Sequence, residues 1–270
     1  VPHPHTQVYG GNTACVQVQV NGDPTLILDG GTGLHWLGEE LLKGDFARGQ
    51  GQAHLLLSHT QWSHIQGIPF FVPMLVPGNR FTICGCSPPG SSLAALLLAQ
   101  MDPSFCPVPN FFDHRIGARV EIRDLRQGDF ALGSLRVMAR PLSQVAGQPC
   151  LGYRLQAGGA VLAYLPEVEY LEEGHRNQAL ELARDANLLI HDARFTAAEY
   201  PKHRGQGHAC DRDAVEMALE AGAERLVLFN HHPERLDAGI EAMLKKYAGM
   251  DLPVEAGRER HEYILGKESA

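Results

Sequence analysis

Up to about His175 the chain reads as short apolar runs broken by glycine turns, and beyond it helical runs alternate with strand-like ones. Strands that mostly lead, with helices interspersed and then concentrated toward the C-terminus, can bury their apolar faces only as sheets faced by helices, a two-layered α/β arrangement. Thr13–Val20 alternates as a strand, and Thr25–Leu28 is an apolar strand ending in Asp29. Gly30-Gly31-Thr32-Gly33 leads into a helix through about Leu42, with Thr32 as its N-cap. Ala53–Leu57 and Phe81–Cys84 predict strands, and Ser91–Met101 a serine-capped helix. Val120–Arg123, Ser134–Ala139, Leu151–Gln156 and Ala160–Leu165 continue as strands. Farther on, Gln178–Arg184, Asp211–Ala221 and Leu236–Tyr247 predict helices, and Asn187–His191 and Arg225–Phe229 strands. No linker, internal period or low-complexity tract interrupts this order, and the expectation is one domain over residues 1–270.

A formal charge of −8 and a pI near 5.9 argue against a nucleic-acid backbone as main partner, because phosphate tracks need clustered Lys and Arg. No stretch approaches the roughly 20 apolar residues of a membrane span, and no charged-then-apolar leader opens the chain. Of the six cysteines only Cys84-Gly-Cys86 is closely spaced, and no second pair completes a four-ligand zinc set. Buried, reduced thiols and a cytoplasmic location are therefore expected.

The informative segment is Leu55–Phe71, LLLSHTQWSHIQGIPFF, in which a buried strand runs into a polar loop carrying His59 and His64. Rigid strands ending in such loops are a common way to present ligands. This loop resembles the His-x-His-x-Asp-His loop of the metallo-β-lactamase superfamily. The resemblance extends to Tyr9-Gly10-Gly11-Asn12-Thr13-Ala14-Cys15, Leu28-Asp29-Gly30-Gly31-Thr32-Gly33 and His191-Asp192-Ala193-Arg194-Phe195-Thr196. Gly205-Gln206-Gly207-His208-Ala209 and Leu226-Val227-Leu228-Phe229-Asn230-His231-His232-Pro233 add to it. Together these are similar to the phosphodiesterase-like branch, which includes phosphoribosyl cyclic phosphate phosphodiesterase and the tRNA 3′-processing endonuclease ribonuclease Z. The resemblance implies a four-layered αββα sandwich. Relatives begin with a further strand and an Arg-Gly-Ser turn, so the chain is expected to be trimmed at that end.

In the family, two histidines of the loop face one metal, and the aspartate and last histidine face a second. Laid on this chain, the pattern keeps His59 and His64 but puts Gln61 where the second histidine belongs and Ser63 where the aspartate belongs. The third-motif histidine becomes Ala146, the bridging aspartate Glu167 and the final histidine Asn230. Glutamine, asparagine and serine are weak neutral ligands and alanine is none, so the resemblance implies a degenerate metal site. Asp29 is expected to support the loop by hydrogen bonds, and Trp62 to pack beneath it. His231 is a substitute for Asn230 if the register shifts by one.

By the same resemblance His208 matches a phosphate-contacting, proton-transferring histidine, and Asp192 its acidic partner; a carboxylate holding an imidazole suits acid–base or anion-binding work without metal. The leading expectation is a pseudoenzyme without cofactor. It would use Asp29, Gln61, Ser63, Glu167 and Asn230 beside His59, His64 and His208 to bind a small anionic ligand or a protein partner. The alternative is an active hydrolase of small phosphodiesters or cyclic phosphates, with His208 as proton donor and one zinc, manganese or iron ion. A third reading is an interaction module, for which a homodimer is the simplest assembly.

Overall fold

The computed structural model of the chain describes residues 4–104, 106, 108, 111–145 and 148–266. Two compact units share it: Thr13–Arg126 with Gly147–Pro149, and Val1–Asn12 with Gln127–Ala146 and Cys150–Ala270.

In the first unit β1 (Val16–Val18), β2 (Thr25–Leu28), β3 (Gln52–Leu57), β4 (Arg80–Gly85) and β5 (Arg119–Asp124) lie in chain order in a five-stranded sheet. Only β1 and β2 are antiparallel; the remaining pairs are parallel. Parallel neighbours need long crossovers, and these carry α1 (Gly33–Leu41), α2 (Trp62–Ile65) and α3 (Leu93–Ala99). Every residue of β2 and the last three of both β3 and β4 are buried, as expected for inner strands of a covered parallel sheet. Ile27, Leu55, Leu57, Phe71, Phe81 and Ile83 belong to this unit's core.

Asn79 pins the turn between α2 and β4. It is fully buried; its Oδ1 accepts from Gly51 N at 2.8 Å, and its Nδ2 donates to Phe46 O and Pro73 O, both at 2.9 Å.

In the second unit β6 (Gly128–Leu132), β7 (Leu135–Val145), β8 (Gln148–Ala157), β9 (Ala160–Leu165), β10 (Leu188–Asp192), β11 (Leu226–Phe229) and β12 (Val254–Ala256) form a seven-stranded sheet in chain order. The strands from β9 to β12 are parallel, whereas β6–β7 and β8–β9 are antiparallel. α4 (Glu173–Ala183) packs on β7 and β9, and α5 (Asp211–Ala221) on β10 and β11. α5 turns Ala214, Ala218 and Ala221 inward, so it can approach the sheet closely. α6 (Asp237–Leu244) follows β11 and packs on β12.

The elements expected from the sequence are present, with instructive differences. Thr32 stands at the N-cap of α1, but its hydroxyl does not cap the helix. Instead Thr32 Oγ1 accepts from Thr13 N at 2.8 Å, and Thr13 Oγ1 accepts from Thr32 N at 2.9 Å, which ties the entry of β1 to the entry of α1. α4 begins at Glu173, before the expected Gln178, because its first turn is polar and carries no apolar period. β6 and β12 went unread: the first opens on glycine, and the second has three residues. No helix among the described residues is long and apolar enough to cross a membrane.

Asn79→Ala should cost roughly 3 kcal/mol, since it strands three buried backbone groups at about 1 kcal/mol or more each. Urea unfolding would measure it, and a loss below about 1 kcal/mol would show that the turn has other supports.

Candidate functional site

The loop of the first unit is organised by Asp29. β2 delivers this residue, fully buried, at φ 61°, a left-handed conformation that aspartate tolerates better than most residues. Its Oδ1 accepts from Ser58 N at 2.7 Å, and Ser58 Oγ lies 2.9 Å from both carboxylate oxygens. His64 Nδ1 is 2.8 Å from Asp29 Oδ2, and because a carboxylate only accepts, that nitrogen carries the proton. Ser58 gives its single proton to Asp29, so its oxygen accepts from His59 Nδ1 at 2.9 Å. Both imidazoles thereby hold Nδ1–H inward, with ring centroids 4.1 Å apart. Burial pushes the Asp29 pKa up, but the charge and hydrogen bond of His64, the charge of His59 and the Ser58 N–H outweigh it and leave it below the ordinary aspartate value.

Close backbone crossing sets where His64 sits. Gly30 N donates to His64 O at 2.7 Å, and Gly67 N donates to Gly30 O at 2.9 Å. A Cβ on Gly67 would collide with Gly31 O, and one on Gly31 would stand 2.5 Å from Ser63 O. Glycine is required at both crossings. Gln61, half-buried, is the N-cap residue of α2, and its carbonyl accepts from His64 N at 2.9 Å. Ser63 is half-buried on the same turn.

In the second unit the centre is Asp192, fully buried at the end of β10. Its Oδ2 accepts from His208 Nδ1 at 3.0 Å, Ala209 N at 3.1 Å and Val168 N at 3.3 Å, and its Oδ1 accepts from Arg194 N at 3.2 Å. Glu167 Oε2 lies 3.9 Å from His208 Nε2, too far for a hydrogen bond but close enough to act by charge. Burial alone would lower the His208 pKa; the Asp192 charge and hydrogen bond, aided by Glu167, overcome it and raise the pKa above the usual imidazole value. When His208 is protonated, Nε2–H is a donor at a buried position.

Asn230 follows β11 at φ 57° and donates from Nδ2 to Pro166 O at 3.1 Å, beside Glu167. His231 is next. Neither of its ring nitrogens meets a hydrogen-bonding partner among the described residues, and burial with the nearby Arg235 charge brings its pKa down to about 4. Phe195 stacks on His203 with centroids 4.2 Å apart, and Arg235 pairs with Glu199 at 2.6 Å.

The family model described as "Beta-lactamase superfamily domain" matches residues 27–232, most of the chain. The chain belongs to this family. Its fold is that of the metallo-β-lactamases, mixed α/β with two sheets and helices. Metallo-β-lactamase fold protein YhfI from Bacillus subtilis superposes with a TM-score of 0.65 at 18% identity, over 93% of this chain and 94% of that one. Human tRNase Z, short form, gives 0.62 at 18% identity, over 94% of each chain. Zn(2+)-bound PqqB from Methylobacterium extorquens gives 0.63 at 15% identity, over 94% of this chain and 86% of that one. Ribonuclease Z of Geobacillus kaustophilus (strain HTA426) is 40% identical over 70 residues, which is 26% of this chain and 21% of that protein. A longer match, to ribonuclease Z of Streptococcus equi subsp. equi (strain 4047), is 27% identical over 162 residues, 56% of this chain and 52% of that one. The chain thus spans about a fifth of the first of these curated relatives and about half of the other.

The β-lactamase-superfamily loop here brings Asp29, His59 and His64 into one network, with Gln61 and Ser63 on the adjoining turn. Asp192, His208 and Glu167 form a second group within the other unit, which Asn230 reaches through the backbone of Pro166. Ala146 lies outside the described residues. One expectation is corrected: Trp62 does not pack beneath the loop but stands 67% exposed, because its position on the one-turn α2 faces outward. Ser58 and Glu169 went unread as functional residues. Ser58 sits between a strand and a histidine, a placement that could have marked it. Glu169 binds groups more than 30 residues away in sequence, and no spacing signals that.

The His231 environment makes a pH prediction. An unfolded histidine takes up its proton near pH 6.5, whereas His231 resists until about pH 4. Its stabilisation is thus present above pH 6.5 and lost as pH falls toward 4. His231→Gln should flatten the fall in unfolding free energy across that window, measured by urea titration at several pH values; an unchanged slope would place the acid sensitivity elsewhere.

Proposed function

We propose that this chain is a non-hydrolysing member of its family, a pseudoenzyme that binds a small anionic ligand at His208. The observation that carries the reading is Asn230. At the position where the family pattern has its final histidine, this residue is neutral and spends its amide N–H on Pro166 O. Gln61 and Ser63 add only neutral donors, and zinc and its relatives prefer imidazole, thiolate and carboxylate. The donor set does not fit a dinuclear centre.

His208 retains what anion binding needs. Asp192 holds its ring, its pKa is raised, and Nε2–H is a charge-assisted donor. Glu167 beside it disfavours a fully deprotonated anion and favours one that carries a proton, such as hydrogen phosphate or a phosphomonoester monoanion. Such a ligand accepts from His208 and donates to Glu167.

One feature favours a second reading, hydrolysis of a small phosphodiester or cyclic phosphate at a remodelled single-metal centre. Asp29 and Ser58 fix His59 and His64 in the Nδ1–H tautomer, the form in which imidazoles ligate through Nε2.

Elemental analysis of protein purified without chelator or metal-binding tag, before and after loading with zinc, manganese and iron, separates the two. Near-zero retained metal together with inorganic-phosphate binding that His208→Ala abolishes is the expected result. About one or two tightly held ions per chain, with turnover of a cyclic phosphate that the same substitution removes, would sink the first reading and establish the second.

A further inference from the structure

Glu169 has no part in the chemistry assigned so far, yet it is one of the most heavily engaged carboxylates in the second unit. It is 3% exposed, and it lies between β9 and α4. Its Oε1 accepts from Tyr200 Oη at 2.8 Å and Gly205 N at 2.7 Å, and its Oε2 accepts from Gly207 N at 2.7 Å. All three donors come from the segment that leads into His208, and none of them from its own neighbourhood in the chain.

Burying a carboxylate is expensive unless charge-assisted hydrogen bonds offset the desolvation, and here they converge on one turn. Gly205 and Gly207 both sit at φ 87°, where L side chains are strained and glycine is otherwise free to wander. The backbone groups on either side of His208 are then divided between two carboxylates. Gly207 N goes to Glu169, and Ala209 N goes to Asp192, which also takes the His208 ring. His208 is bracketed, one residue away on each side, by fixed negative acceptors.

We infer that Glu169 is a positioning residue for His208: by holding the Gly205–Gly207 turn it keeps the imidazole within reach of Asp192 and its Nε2–H aimed at the ligand. Asp192 alone can fix the ring only if the backbone beneath it is already in place, and Glu169 supplies that place. The proposal rests on the anion-binding reading for its affinity readout, but its spectroscopic readout stands without it.

The test compares wild type, Glu169→Gln and a control, Asp237→Asn. The control removes a carboxylate that also clamps backbone N–H groups, those of Val8 and Tyr9. Three quantities are measured: melting temperature, the His208 Nδ1–H proton resonance (assigned by its loss in His208→Gln), and the dissociation constant for inorganic phosphate. An amide cannot serve all three donors, because its N–H₂ group meets one of them head-on. Glu169→Gln should therefore broaden or shift the Nδ1–H resonance and weaken phosphate about tenfold, the equivalent of one charge-assisted hydrogen bond. Asp237→Asn should lower the melting temperature and leave the resonance and the affinity unchanged. A folded Glu169→Gln with an unaltered resonance overturns the inference. Should that variant not fold, Tyr200→Phe removes one donor and keeps the carboxylate; a smaller shift of the same resonance supports the inference, and no shift overturns it. Wild-type protein that fails to bind phosphate sinks the anion-binding reading, while the resonance still decides Glu169.

Discussion

The Asp192 carboxylate is the interaction on which the arrangement around His208 depends. It is fully buried at the end of a central strand, and it collects an imidazole Nδ1–H and three backbone N–H groups. Four N–H donors, three on Oδ2 and one on Oδ1, offset the cost of burying this carboxylate. The same carboxylate fixes the tautomer of His208 and raises its pKa against the effect of burial. The ring of His208 and the backbone at Val168, Arg194 and Ala209 therefore draw on one set of hydrogen bonds, and changing Asp192 disturbs them all at once.

Asp29 repeats the design in the first unit. Strand β2 carries it into the interior at a left-handed φ, and it accepts from Ser58 and His64. In metal sites generally, such a carboxylate orients ligand imidazoles from behind. Here it orients His64 directly and His59 through Ser58, with Gln61 and Ser63 on the adjoining turn. Hydrogen bonds with no need of metal, such as Asn230 Nδ2 to Pro166 O and Ser58 Oγ to Asp29, hold these segments.

Much of the fold was legible because local physics agreed with tertiary demand. α5 was read to the residue, Asp211–Ala221, since an acidic first turn, inward alanines at helical spacing and Gly222 in the left-handed C-terminal position all point the same way. β2 and β9 were legible as continuous apolar runs. β6 and the first turn of α4 were not, because their residues are half-exposed or polar and only neighbours in space make them regular. Trp62 was misread for the opposite reason: an aromatic in a loop suggests an anchor, but which way a one-turn helix faces depends on what lies behind it.

By itself, the sequence determined the strand-to-helix order, the family and the identities of the groups near the site. Local pattern carries the first directly, and the family rests on the order of its motifs along the chain. Only the tertiary structure decided that Ser58 relays between Asp29 and His59, and that Asn230 faces Pro166 O. It alone also decided that His208 is bracketed by Asp192 and Glu169, 16 and 39 residues away in the numbering. These are directional contacts between groups distant along the chain, and their existence depends on a few tenths of an ångström that packing sets and periodicity does not encode.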